Sequence, residues 1–241
     1  MEIQKVLTWA KAGRLLRFNF EKAGDIKRGE VNIMDDKNAL RQIKSGKVIL
    51  EVWSGFQSKK MPTSSKYPNK KSGTVKVEIG GDMVQDQTTI AKSHISALKF
   101  LVENQVKIKE KILKSLLEKY RELQTSYGYE GRDKEELMPD ASRESDFKAL
   151  IRLSVVHLLN VEKDGLAYVG YEFDCTWDEE HGLGIMTHKD KIIDIDGADT
   201  SFLTWIAKKD LKSTQTNKDE SKTKVSEVKN SFWSRFKNKL K

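Results

Sequence analysis

Cysteine occurs once in the chain, at Cys175, so an internal disulfide is excluded, and no cluster of Cys and His has the spacing of a structural zinc site. A reducing compartment fits. No window approaches the ~20 consecutive apolar residues needed to span a bilayer. The opening stretch, MEIQKVLTWAKAGRLLRFNF, lacks the uninterrupted apolar core of a signal peptide. The sequence therefore predicts a cytoplasmic protein whose membrane contact, if any, is peripheral. Proline is scarce, and two of the three fall together in QSKKMPTSSKYPNKKSG, which has the chemistry of a mobile, positively charged surface loop.

Charge is abundant instead. Charged residues make up 33% of the chain against ~25% in an ordinary globular domain, so either the surface is charge-dense or some segments do not fold. The net charge of +8 is unevenly spread. Residues 212–241 hold nine Lys/Arg and three Asp/Glu, and residues 37–87 hold ten bases and four acids, whereas residues 166–207 hold nine acids and two lysines. With the excess concentrated in a tail, nucleic acid is a poor fit as the main partner. The acidic region suits a basic one.

Periodicity organises the middle of the chain. KVILEVW reads as a strand, and TVKVEIG alternates Val75, Val77 and Ile79 with Lys76 and Glu78, so the two could pair. From Thr88 to Tyr127 apolar residues recur at steps of three and four, one stripe of an amphipathic helix, which Glu103-Asn104 could divide in two. SYGYEGRDKEELMPDASRES reads as a polar connection and SDFKALIRL as a short helix. Strands follow at Ser154 to Val161, Leu166 to Cys175, Leu183 to His188 and Lys191 to Ile195, with Asp164-Gly165 as the strongest hairpin turn. A final helix, Ser201 to Leu211, brings Phe202, Trp205 and Ile206 to one side.

The pattern predicts an α+β protein: an antiparallel sheet packed by a long helical segment and a short C-terminal helix. Residues 1–45 form an extension of unclear structure, residues 46–211 the main domain, and residues 212–241 a disordered basic tail. The tail's terminal VSEVKNSFWSRFKNKLK spaces Phe232, Phe236 and Leu240, beside Trp233, near helical intervals among Lys and Arg. It reads as a solvated tail, a docking helix for a protein partner or a membrane-surface anchor.

Chemistry concentrates in Phe173 to His188, FDCTWDEEHGLGIMTH. Familiar motifs fail there. Gly182-Leu183-Gly184 opens like a dinucleotide-binding turn, but Thr187 stands where a third glycine is required and a strand follows. In DIDGAD, aligning Gly197 with the glycine of a calcium loop puts Ile192 and Leu203 at ligand positions. His181 and His188, on a strand, lie ~23 Å apart, too far to share a metal. If the chain reverses near Lys189-Asp190, however, Asp196 and Asp199 return beside Asp178, Glu179, Glu180 and His181. That acidic cluster with one histidine could hold a divalent ion, supply a general base, or recognise a partner. The structural alternative has Asp178 capping a turn, the glycines permitting tight backbone approach and the other acids solvated. Cys175 reads as a small buried hydrophobe, His157 as a satisfied sheet residue, and His94 as a helix-surface residue.

Within this stretch Trp177, Asp178, Glu180, His181, Gly182 and Gly184 spell Trp-Asp-x-Glu-His-Gly-x-Gly, followed by Gly197-Ala198-Asp199 and preceded far upstream by Gly55-Phe56-Gln57-Ser58. Over roughly Lys47 to Leu211 the chain thereby resembles a bacterial family of uncharacterised domains, loosely similar to immunity-type proteins of bacterial conflict systems. The resemblance brings no catalytic residues. It implies a non-enzymatic protein that binds a protein partner through its acidic surface; the alternative is a divalent-metal-dependent hydrolase using His181 and nearby carboxylates. The oligomeric state stays open.

Overall fold

The computed structural model describes residues 16–18, 29–31, 34–56, 73–82 and 89–213. The loop expected between the first two main strands, the terminal tail with Phe232, Trp233, Phe236 and Leu240, and most of the first 33 residues lie outside the described residues.

Eight strands are described: β1 (Leu16–Phe18), β2 (Gly29–Val31), β3 (Lys47–Ile49), β4 (Thr74–Gly80), β5 (Ile151–Lys163), β6 (Leu166–Cys175), β7 (Leu183–His188) and β8 (Lys191–Gly197). The first two pair with each other, and the other six form one sheet in the order β3-β4-β5-β6-β7-β8. Helices are α1 (Asp36–Ser45), α2 (Lys92–Glu103), α3 (Gln105–Tyr127), α4 (Gly131–Leu137) and α5 (residues 204–213). The α+β class agrees with the sequence. The expected all-antiparallel sheet does not, because β4 and β5 run parallel while every other neighbouring pair is antiparallel. A parallel pair needs a long crossover, and the α2–α3 stretch provides one.

Local chemistry accounts for these elements. Asp35 caps α1 by accepting the Asn38 N–H at 2.7 Å, and Gly46 ends it at φ +66°. This helix lies in the stretch whose structure was unclear from sequence, and it sends Ala39 and Ile43 into the main core. The break between α2 and α3 falls at Asn104, whose amide donates back to Phe100 O at 2.8 Å. The expected SDFKALIRL helix is only a 3-10 turn, Glu144–Ala149, because the following residues join β5 from Ile151. At the β5–β6 turn Asp164 and Gly165 take positive φ, as a two-residue hairpin requires.

One sheet face packs on α2 and α3. Ile112, Leu116 and Tyr120 meet Val156, Tyr171, Phe173 and Ile185 there in a single core. The other face is crossed by the chain leaving β8. A cap of backbone formed by Ala198–Ser201 and Phe202 runs over β7, β6 and β5 toward the end of β4, where Asp82 N–H donates to Phe202 O at 2.6 Å and Thr204 N–H donates to the Asp82 carboxylate at 2.7 Å. Glycine makes this crossing possible. A Cβ on Gly170 would stand 1.6 Å from Ser201 O, and one on Gly184 2.4 Å from Gly197 O. Beyond the crossing, α5 buries Ile206 and Ala207 against Leu159, Val161, Tyr168 and Met186. Phe202, Trp205 and Ile206 therefore do not share a side as expected: Phe202 precedes the helix, Ile206 faces inward and Trp205 is 56% exposed.

Candidate functional site

Strand β6 delivers the chain to a turn whose anchors are buried. Trp177 is 2% exposed and meets Tyr120 edge-on with ring centres 5.6 Å apart, so this residue belongs to the core and not to a recognition surface. Its carbonyl accepts the Tyr129 hydroxyl at 2.9 Å, and Thr176 donates its hydroxyl to Leu137 O. Asp178 then organises the turn. One carboxylate oxygen accepts the His181 N–H at 2.9 Å and lies 3.1 Å from His181 Nδ1, while the other accepts the Tyr127 hydroxyl at 2.9 Å. Burial works to raise the Asp178 pKa, but these bonds outweigh it and hold the carboxyl below its usual range. The Tyr127 hydroxyl is pushed upward by burial and by Asp178. Gly182 closes the turn at φ +70°, with its N–H on Asp178 O at 3.0 Å; a side chain there would meet Phe173 O at 2.5 Å.

The doubling back expected after His188 is present. Leu183 pairs with Gly197 and Gly184 with Asp196, so Asp196 and Asp199 return to the sheet end that holds Asp178, Glu179, Glu180 and His181. Glu179, Glu180, Asp196 and Asp199 are exposed, as is the His181 side chain at 76%. Asp196 turns partly onto its own backbone, accepting Gly197 N–H at 3.0 Å. Among the described residues these four acids form no ion pair. Other acids of the same region do: Glu172 with His157, Asp174 with Arg152, and Asp190 with Lys107 and Lys111.

Two donors, Asp178 and His181, are joined at the turn. Among the described residues no three His, Cys, Asp or Glu side chains are grouped so as to hold a metal ion. Cys175 is 1% exposed and burial pushes its thiol up to about 12, which suits packing and not nucleophilic attack. The other histidines have structural tasks. His157 is 5% exposed and bonds Glu172 at 2.8 Å, as a satisfied sheet residue should. His94 is not at the helix surface as expected but buried, accepting Ala91 N–H at Nδ1 and bonding Leu159 O through Nε2 at 3.2 Å, with its pKa lowered chiefly by burial. His188 is likewise buried at the far end of β7, bonded to Lys163 O at 2.8 Å.

Sequence reasoning missed α4. Within the supposed polar connection, this helix is fastened to the turn by the Thr176–Leu137 bond and exposes Glu130, Asp133, Glu135 and Glu136 nearby, among Arg132 and Lys134. The run GRDKEEL was the available signal, but with no buried residue it leaves no apolar period to read.

Fold and site together define a mostly antiparallel α+β domain whose acidic sheet end is built from three separate segments of chain. A family model described as a domain of unknown function, DUF6985, matches residues 44–203, and the chain belongs to that family. No curated protein and no solved structure matches it. Among the described residues no helix is long and apolar enough to cross a membrane.

Proposed function

We propose that this protein is a non-enzymatic interaction protein, of the immunity type used in bacterial conflict systems, that binds a basic protein partner in the cytoplasm through its acidic sheet end. One observation carries the reading: Glu179, Glu180, Asp196 and Asp199 gather from two distant segments and, among the described residues, no cation neutralises them. Carboxylates left unpaired at one end of a domain raise the local negative potential, which speeds encounter with a cationic surface and disfavours acidic ones. The turn beneath them is tied down, since Asp178 is bonded to both His181 and Tyr127. A stiff platform limits the entropy lost on binding.

The test is to identify the partner by photo-crosslinking from position 180 and then to measure its affinity for the wild type and for Glu179→Gln/Glu180→Gln/Asp196→Asn/Asp199→Asn. The amide at 196 keeps the acceptor for Gly197. The variant should bind at least ~10-fold more weakly, with a flatter salt dependence. Equal affinity and equal salt dependence would remove the acidic end from the interface.

A further inference from the structure

Helix α5 divides its residues between two faces. Inward, Ile206 and Ala207 lie on the sheet, and the Asp210 carboxylate, 8% exposed, accepts Lys163 at 2.9 Å, Lys191 at 2.8 Å and the Tyr168 hydroxyl at 2.7 Å. Outward stands Trp205, 56% exposed, with Lys208, Lys209 and Lys212 following at steps of three, four and seven, all exposed. That spacing stacks the indole and three lysines on one side of a helix. A single exposed apolar residue needs no explanation, but an indole amid lysines combines the two features of a helix that lies in a membrane interface. Indole rings settle at the headgroup level, and lysines are drawn to anionic lipid.

The acids around the helix are only partly neutralised. Asp210 is neutralised by two lysines and Asp164 is paired with Lys189 at 3.4 Å, whereas Asp82, exposed and bonded to Thr204 at the head of the helix, and Asp194, opposite Met186 in β8, form no ion pair among the described residues. Residues 214–241 follow directly and carry eight Lys/Arg and three Asp/Glu. We propose that the outward face of α5, formed by Trp205, Lys208, Lys209 and Lys212, docks on the surface of an anionic phospholipid bilayer. Lysine, a point charge without the planar fork of arginine, together with an indole on a helix flank, fits a headgroup layer better than the bidentate contacts of nucleic-acid recognition. This docking does not rest on the acidic end having a partner.

The experiment is flotation of the whole 241-residue chain with vesicles of phosphatidylcholine alone or mixed with phosphatidylglycerol. The wild type should float only with the anionic vesicles. Lys208→Glu/Lys209→Glu should lower the partition coefficient by at least ~10-fold, and Trp205→Ala by several-fold. Both changes fall on exposed side chains, so the thermal midpoint should stay unchanged and report intact folding. Phe232→Ala/Trp233→Ala/Phe236→Ala serves as the comparison. If this variant alone abolishes binding while the α5 variants float like the wild type, the anchor is the tail and the proposal is overturned. It is overturned equally if the wild type floats alike with both vesicles or with neither, or if it retains a short DNA duplex through Lys208 and Lys209 without binding vesicles.

Discussion

Adding one methyl group at Gly170 brings a new Cβ closer to backbone than at the other described glycines whose surroundings are known, and it should damage the fold severely. The alanine Cβ would lie 1.6 Å from Ser201 O, 2.5 Å from its carbonyl carbon and 2.8 Å from its Cα, all backbone atoms that no rotamer change can move aside. Restoring an ordinary contact of about 3.5 Å requires the crossing segment to lift by roughly 2 Å. That shift detaches Phe202 O from Asp82 N–H, breaks the Thr204–Asp82 bonds and separates Phe202 from the His157 ring, now 5.5 Å away. Overpacking alone costs about 1–3 kcal/mol, and three lost hydrogen bonds add about 1 kcal/mol each, so Gly170→Ala should destabilise by roughly 4 kcal/mol or more. At about 2–4 °C per kcal/mol for a domain of this size, the thermal midpoint should fall by roughly 8–16 °C. Gly165→Ala is the control. Gly165 sits at φ +76° with nothing within 4 Å of a new Cβ, so only the backbone conformation is penalised. That penalty is about 1–2 kcal/mol. Calorimetry of the two variants decides the matter: a Gly170→Ala midpoint no lower than that of Gly165→Ala would mean the crossing segment does not rest on the sheet.

Two further perturbations follow from buried groups. Burial works to raise the Asp210 pKa, but the bonds from Lys191, Lys163 and Tyr168 dominate and hold its carboxyl far below the usual range. A carboxyl depressed in the folded state stabilises above its unfolded pKa near ~4 and loses that contribution as pH falls through and below it. Asp210→Asn should therefore cost about 3 kcal/mol at neutral pH and flatten the loss of stability between pH ~4 and ~2, measured by urea melts across that range. An unchanged acid limb in the variant would contradict the assignment. For Cys175, whose thiol is buried and raised to about 12, an aromatic disulfide reagent should react fully in denaturant and hardly at all with the native chain, and rapid native labelling would show that β6 opens locally.

Legibility from sequence followed the reach of the forces involved. The α2–α3 stripe, its break at Asn104, the Asp164-Gly165 turn and the β7–β8 reversal are local signals, and the structure has each of them. The parallel pairing of β4 with β5 could not be read locally, because strand direction is decided by the path of the intervening crossover. Helix α4 buries no residue and so has no period, and the SDFKALIRL pattern lost its last three residues to β5, whose pairing with β6 from Ile151 outweighs weak helix propensity. The crossing over Gly170 did leave a trace, a glycine within a strand, which signals a close neighbouring backbone without saying which. Trp205 misled because an apolar residue on a helix is read as inward by default, and only the contacts of Ile206 and Ala207 settle the helix's rotation.

The segment from Trp177 to Gly184 shows why density of chemical side chains is a poor guide to chemistry. Trp177 fills the core, Asp178 closes the turn, Gly182 adopts a backbone angle that other residues resist, and Gly184 admits a carbonyl from β8. Each has a structural cause that would persist if the protein bound nothing. Glu179, Glu180 and the exposed imidazole of His181 have no comparable task beyond the His181 contact with Asp178, so selection for a surface role would act on them first. Their position matters too: they lie at the sheet end opposite the β5–β6 and β7–β8 turns, beside which Asp210 secures α5 through Lys163 and Lys191. The domain is thus electrically polarised along its strands. Asp196 and Asp199 follow β8 onto the sheet face that α5 also covers, so a bilayer docked on Trp205 and its lysines would lie beside the acidic end, and salt screening within about a Debye length decides whether that end still attracts a basic partner.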